Sequence, residues 1–242
     1  IRATLRLPIW IAVTLVQPII WITIFGQLFQ RVVEIPGFED ASYIAYLTPG
    51  IVIMTAMFGS AWSGMGLIYD LHTGVLDRML STPVNRTAII VARVLHASLT
   101  VLIQSLIILA LAFFLDSNIS SGVLGIAGVL ISAVLIGAGF SAISSGIALL
   151  TKKEETMIAI INFFGLPLTF LSAAFMSNDL MPKWMQSISI FNPVNWAVEA
   201  ARNAMAGSDW VNFLINCCLL SIFTFLSVVF ASQAFRIYRR LN

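Results

Sequence analysis

The chain alternates between long apolar runs and short polar clusters, and that alternation predicts membrane-crossing helices. Six runs stand out, at residues 8–29, 47–69, 89–115, 123–150, 157–175 and 211–235. At about 1.5 Å per residue, a run of roughly 20 residues crosses a hydrocarbon layer about 30 Å thick. Pro18 sits near the middle of the first run and is predicted to kink it, while Gly165 and Pro167 mark a bend in the fifth. Residues 31–42 form a polar, helix-breaking link with Pro36, Gly37 and the acids Glu34, Glu39 and Asp40. Tyr43 and Tyr46 follow it as an aromatic belt at the head of the second run.

The basic residues give these runs a direction. Of the 13 Lys and Arg residues, ten fall into four clusters: Arg2 and Arg6; Arg78, Arg86 and Arg93; Lys152 and Lys153; and Arg236, Arg239 and Arg240. Short loops rich in Lys and Arg stay cytoplasmic, so both termini and these two links are expected inside the cell. The intervening segments hold Arg31, Lys183 and Arg202, together with seven of the 11 acids (Glu34, Glu39, Asp40, Asp116, Asp179, Glu199 and Asp209). With 10% charged residues against about 25% in ordinary soluble domains, and a mean hydropathy of +0.96, the chain cannot be a water-soluble fold. The net charge of +2 sits at membrane edges and not along a groove, which argues against a nucleic-acid partner. Cys217 and Cys218 are adjacent within an apolar run and unsuited to a structural disulfide. The chain begins at Ile1 and not at Met, so a preceding N-terminal segment is expected. Nothing in it reads as a cleavable signal peptide.

Small residues recur four apart in two runs: Ala56, Ser60 and Gly64 in the second, and Ala133, Gly137, Ser141 and Ser145 in the fourth. Such ridges let helix backbones approach closely in lipid. Two further segments do not fit a simple bundle. In residues 70–86, on the cytoplasmic side, Thr73 is predicted to cap a short helix that puts Val75, Leu76, Met79 and Leu80 on one face. Asp77 and Arg78 point elsewhere, and Pro83 ends the helix. In residues 178–207, on the outer side, Asp179 and Pro182 suit a helix start, with Trp184, Met185 and Ile188 at apolar spacing. Asn192 and Pro193 then supply a cap and a first-turn proline for another helix that Gly207 closes. Both helices are too short to span, so a pair that dips into the outer leaflet and returns is expected. Glu199 and Arg202, three apart, can pair on one face.

These two segments resemble the hallmarks of the ABC-2 type permeases, the membrane subunits of ATP-binding-cassette exporters. The stretch GVLDRMLSTPVNR, from Gly74 to Arg86, looks like that family's coupling segment. The stretch from Leu166 to Arg202 looks like its Pro-bearing fifth span followed by P-x-W and N-P-x-x-x-x-x-E-x-x-R. The pattern is most similar to the daunorubicin-resistance and nodulation-export branch. The resemblance implies an all-α polytopic protein of the cytoplasmic membrane: one domain over 1–242, six transmembrane helices, a cytoplasmic coupling helix and a short outer re-entrant pair. It implies two cytoplasmic ABC ATPase partners that bind ATP and Mg, and a second permease, identical or homologous. It assigns coupling to Asp70, Thr73, Gly74, Leu76, Asp77, Arg78, Leu80, Pro83 and Arg86. The re-entrant segment would rest on Pro182, Trp184, Asn192, Pro193, Glu199 and Arg202. Members of the family carry an amphipathic helix before the first span, of which residues 1–7 would be the end.

The chemistry in the chain agrees with a transport subunit. No G-x-x-x-x-G-K-[ST] phosphate loop occurs, so ATP hydrolysis needs a separate chain, and no cofactor is expected in this one. The spans lack a central Asp, Glu, Lys or Arg, which counts against an ion-coupled secondary transporter, the main alternative. Ser63 and His96 superficially resemble an intramembrane serine protease dyad, a third and weaker reading, although Ala61 replaces its usual leading glycine. His72 and His96 are the only histidines, so no metal site is expected. By resemblance the conduit runs between two permease copies near spans one, two and five. That selects Gln17, Trp21, Phe25, Asn162, Phe163 and Phe170 as substrate-facing, in a mostly apolar path suited to a hydrophobic or amphiphilic drug, lipid or glycoconjugate.

Overall fold

The computed structural model describes residues 15–29, 43–75, 78, 86–115, 122–176 and 180–241, and every described element is helical. In chain order these are α1 (Leu15–Leu28), α2 (Tyr43–Ala61), α3 (Ser63–His72), α4 (Arg86–Phe114), α5 (Gly122–Thr151), α6 (Glu154–Phe170), α7 (Lys183–Ser189), α8 (Pro193–Ala206) and α9 (Trp210–Leu241). Among the described residues, four helices are long and apolar enough to cross a membrane: Tyr43–His72, Ala88–Phe114, Gly122–Thr151 and Trp210–Tyr238. Leu15–Leu28 is apolar but shorter.

Helix α5 is the hub, packed against α2, α3, α4, α8 and α9. Its small residues explain why. A Cβ added to Gly137 would stand 2.8 Å from Ser60 Oγ and 3.6 Å from the Ala56 carbonyl, so the two small-residue ridges face each other. On its other side, Gly139 admits Phe223 and Gly146 admits Phe230, each with a ring carbon under 3.0 Å from a notional Cβ. These contacts advance together along both helices and fix α9 parallel to α5, and the Lys152 ammonium lies 4.6 Å from the Tyr238 ring centroid.

Two irregularities depart from the sequence expectations. The second run, expected as one helix over 47–69, breaks at Trp62, and Ser144 replaces the lost backbone pairing. Its hydroxyl donates to the Ala61 carbonyl and accepts from Gly64 N–H at 3.0 Å. The Ser63 hydroxyl shares a 2.9 Å hydrogen bond with Ser141, which ties it into the same seam, while His96 lies on an exposed face of α4. In α1 a π-helical turn forms at Trp21–Phe25, after Pro18. There the Thr23 hydroxyl donates to the Ile19 carbonyl at 2.7 Å, taking over an acceptor of the main-chain ladder.

The fifth run also ends sooner than expected: α6 stops at Phe170, and residues 171–174 turn away. Pro167 withholds an amide donor near this end, and the carbonyls of Leu168 and Leu171 are taken by one side chain from further along the chain.

Candidate functional site

One end of the bundle is built around the turn after α6. Asn192 caps α8, its Oδ1 accepting from Val194 N–H at 2.9 Å, with Pro193 in the first turn. The Nδ2 of the same side chain donates to the carbonyls of Leu168 at 2.6 Å and Leu171 at 3.1 Å. Asn195 Oδ1 accepts from Ala173 N–H at 2.8 Å, and its Nδ2 donates to Glu199 Oε1 at 2.9 Å. The Ala173 carbonyl accepts two more bonds, from Arg202 Nη2 at 2.8 Å and Tyr46 Oη at 3.2 Å. Arg202 also lies 3.9 Å over the Tyr46 ring, so one guanidinium joins α8 to α2 and to the α6 turn. Gly207 closes α8 at a φ of 68°, as its position predicts. Pro182 precedes α7 and accepts from Met185 N–H at 2.9 Å, while Trp184 is exposed. Asp179 lies outside the described residues. The sequence reading missed Asn195, because a mid-helix asparagine has no signature in one sequence.

Beside this clamp the aromatic side chains form a row. Trp21 stacks on Phe25 at a centroid distance of 4.4 Å, and Phe25 on Phe29 at 5.6 Å. Trp21 also meets Phe175 at 5.3 Å, which stacks on Phe170 at 5.6 Å. Phe29 continues the row to Tyr43 at 5.8 Å. Of the residues selected as substrate-facing, Trp21, Phe25 and Phe170 therefore belong to one surface. Phe163 lies elsewhere on α6, exposed and edge-to-face with Phe164 at 5.1 Å, and exposed Asn162 donates to its own helix at Ile158. Gln17 lines a separate cleft of about 130 Å³ with Phe58, Trp62 and Gln104. Phe175 was missed as a ring of this row because the fifth helix was expected to run straight through it.

At the opposite end, α3 leads into the 70–86 segment. Thr73 does not start the next helix, as expected, but finishes α3: its hydroxyl donates back to the Tyr69 carbonyl at 2.9 Å. Gly74, at a φ of 69°, makes the left-handed turn, and its carbonyl accepts from Arg78 N–H at 3.2 Å. Asp70 forms an ion pair with Arg93 of α4, which braces α3 at the root of the segment. Leu76, Asp77, Leu80 and Pro83 lie outside the described residues, and Arg86 opens α4. Because α9 runs parallel to α5 and Arg93 reaches Asp70, the basic positions 78, 86, 93, 152, 153 and 236 gather at one end of the bundle.

Comparison with known proteins identifies the frame that carries these features. A profile of the ABC-2 type transporter family matches residues 1–206. The chain is 33% identical over 208 residues to the putative transport permease ycf38 of Cyanophora paradoxa, covering 85% of this chain and 71% of that protein. It is 26% identical over 239 residues to the daunorubicin resistance ABC transporter permease protein DrrB1 of Streptomyces coeruleorubidus, covering 97% and 81%. The inner membrane transport permease YadH of Escherichia coli (strain K12) is 26% identical over 225 residues, covering 89% and 84%. In this family the membrane domain has no ATPase of its own and no cofactor, and it pairs with ABC ATPase subunits that hydrolyse the nucleotide. The helical bundle and these relatives together make the chain a multi-pass membrane permease of the ABC-2 type exporter family.

Proposed function

We propose that residues 1–242 form one transmembrane domain that crosses six times, with both termini cytoplasmic, and that exports an amphiphile between two permease copies. The row of rings from Phe170 through Phe175, Trp21 and Phe25 to Phe29 carries this reading. Such a surface offers stacking and apolar contact but no ionised group, which favours an amphiphile over a charged cargo. The lipid, drug or glycoconjugate slides along it while α7 and α8 form the re-entrant pair above, and α1 and α6 complete the six crossings. The gathering of basic positions at one end supports a cytoplasmic location for that end. A cysteine at Lys183 should react with an impermeant thiol reagent in intact cells and one at Lys153 should not; labelling at 153 from outside would sink the orientation.

Two ATPase subunits would act on the 70–86 segment, with Asp70 and Arg93 transmitting their closure into α3 and α4. Exchanging the pair tests this. Asp70→Arg alone should uncouple ATP hydrolysis from transport, because it sets two like charges together, and adding Arg93→Asp should restore much of the coupling. Equal coupling in both variants would remove the pair from the mechanism. With the ATPase present in vesicles, transport of a fluorescent amphiphile should require ATP and survive collapse of proton and sodium gradients. Gradient-driven flux without nucleotide would instead establish an ion-coupled carrier.

A further inference from the structure

Gln17 places a primary carboxamide on an exposed face of α1, with no hydrogen-bond partner among the described residues. Trp62, at the break between α2 and α3, likewise presents an indole N–H without a partner among the described residues, and its side chain is 39% exposed. Both line the same cleft, which Thr55, Phe58, Gly59 and Gln104 complete. Trp62 lies within the second half of the Tyr43–His72 span, and Gln104 is near the centre of Ala88–Phe114, so the cleft opens within the span of these helices. A polar group left unsatisfied in hydrocarbon costs on the order of several kcal/mol. Two donor-bearing side chains lining one opening thus call for an occupant that accepts hydrogen bonds.

We infer that this cleft is a binding site for an uncharged, hydroxyl- or carbonyl-bearing head of a bilayer amphiphile. Three observations define the class. First, Gln17 can both donate and accept, while Trp62 donates, so hydroxyl and ester oxygens match them. Second, no Asp, Glu, Lys, Arg or His among the described residues lines the cleft, so an ionised phosphate or ammonium would be buried there without a counter-charge from them. Third, its volume of about 130 Å³ lies well below the roughly 300–1,000 Å³ of drug-sized pockets, which leaves room for one small head while the tails stay in the lipid. Gly59 is what keeps the cleft open. A Cβ there would already stand 3.3 Å from Gln104 Oε1, so a larger side chain would fill the space from an exposed helix face without entering the core.

The inference deepens the proposed export of an amphiphile by naming its head group, and rests on that reading. The permease and its ATPase are reconstituted in nanodiscs without nucleotide, and tryptophan quenching is titrated with brominated diacylglycerol or brominated phosphatidic acid of the same chains. The signal belonging to Trp62 is the difference from a Trp62→Phe preparation. Diacylglycerol should quench it at about tenfold lower lipid fraction than phosphatidic acid, and Gln17→Leu should remove about that factor, the worth of a lost hydrogen bond. Gly59→Leu should abolish the preference while thermal stability is unchanged. Equal quenching by the two lipids, a preference that survives both variants, or no quenching because protein covers Trp62 would each overturn the site. ATP-driven transport, measured on the same preparation, separates the two failures. Transport without head-group preference removes the site alone, and absence of transport removes the export reading.

Discussion

Gly64→Ala is expected to be among the most damaging single substitutions in the chain. Its new Cβ would lie 2.6 Å from the Ser144 carbonyl oxygen and 2.8 Å from the carbonyl carbon, and a main chain cannot swing aside as a side chain does. The displacement also pulls Gly64 N–H and the Ala61 carbonyl off the Ser144 hydroxyl. Overpacking of about 1–3 kcal/mol with one or two lost hydrogen bonds of about 0.5–1.5 kcal/mol each sums to roughly 1.5–6 kcal/mol. Gly66→Ala provides the matched control, because the nearest atom to its Cβ is the flexible Arg93 Nη1 at 3.6 Å. The thermal unfolding midpoint of the purified permease should fall by many degrees for Gly64→Ala and hold or rise for Gly66→Ala. Equal midpoints would show that α3 does not depend on this contact.

Arg202→Ala should have the second large effect. The guanidinium serves the Ala173 carbonyl and the Tyr46 ring together, so truncation removes a charged hydrogen bond of about 1.5–3 kcal/mol and a cation–π contact of about 0.5–2 kcal/mol. Arg202→Lys should recover only part of this, since a single ammonium cannot stack flat on the ring while reaching the carbonyl. The expected readout is faster proteolytic cleavage near residue 173 in Arg202→Ala, with Arg202→Lys intermediate. If lysine matched arginine, charge alone would be doing the work and the planar contact would be incidental.

What the sequence disclosed follows from how local each signal is. The ridge of Ala56, Ser60 and Gly64 was readable because small residues at a spacing of four mean close approach whatever the partner. The Asn192–Pro193 start and the Gly207 finish of α8 were readable for the same reason, since capping is a property of the backbone near the residue. The break at Trp62 was not, because residues 58–66 carry no proline and the hydroxyl that permits it stands 80 positions away at Ser144. Gln17 looked like a member of the aromatic path and proved to face a separate cleft, because rotation of α1 through its π-turn cannot be read from a periodic pattern. Asp70 and Thr73 were both assigned to coupling, yet Thr73 closes the preceding helix, since a threonine in that position can bond forward or backward equally well.

Asn192 gives the chain a temporal constraint as well as a spatial one. The carbonyls of Leu168 and Leu171 find their acceptor roles filled by a side chain that is synthesised 24 and 21 residues later. At about 5–20 residues per second of translation, the end of α6 waits roughly one to five seconds for its cap. Over that interval the nascent segment must borrow water or the walls of the insertion machinery to satisfy those carbonyls. A nascent chain held before Asn192 has left the ribosome should therefore keep α6 in a position still open to the aqueous side, and emergence of Asn192 should let it settle.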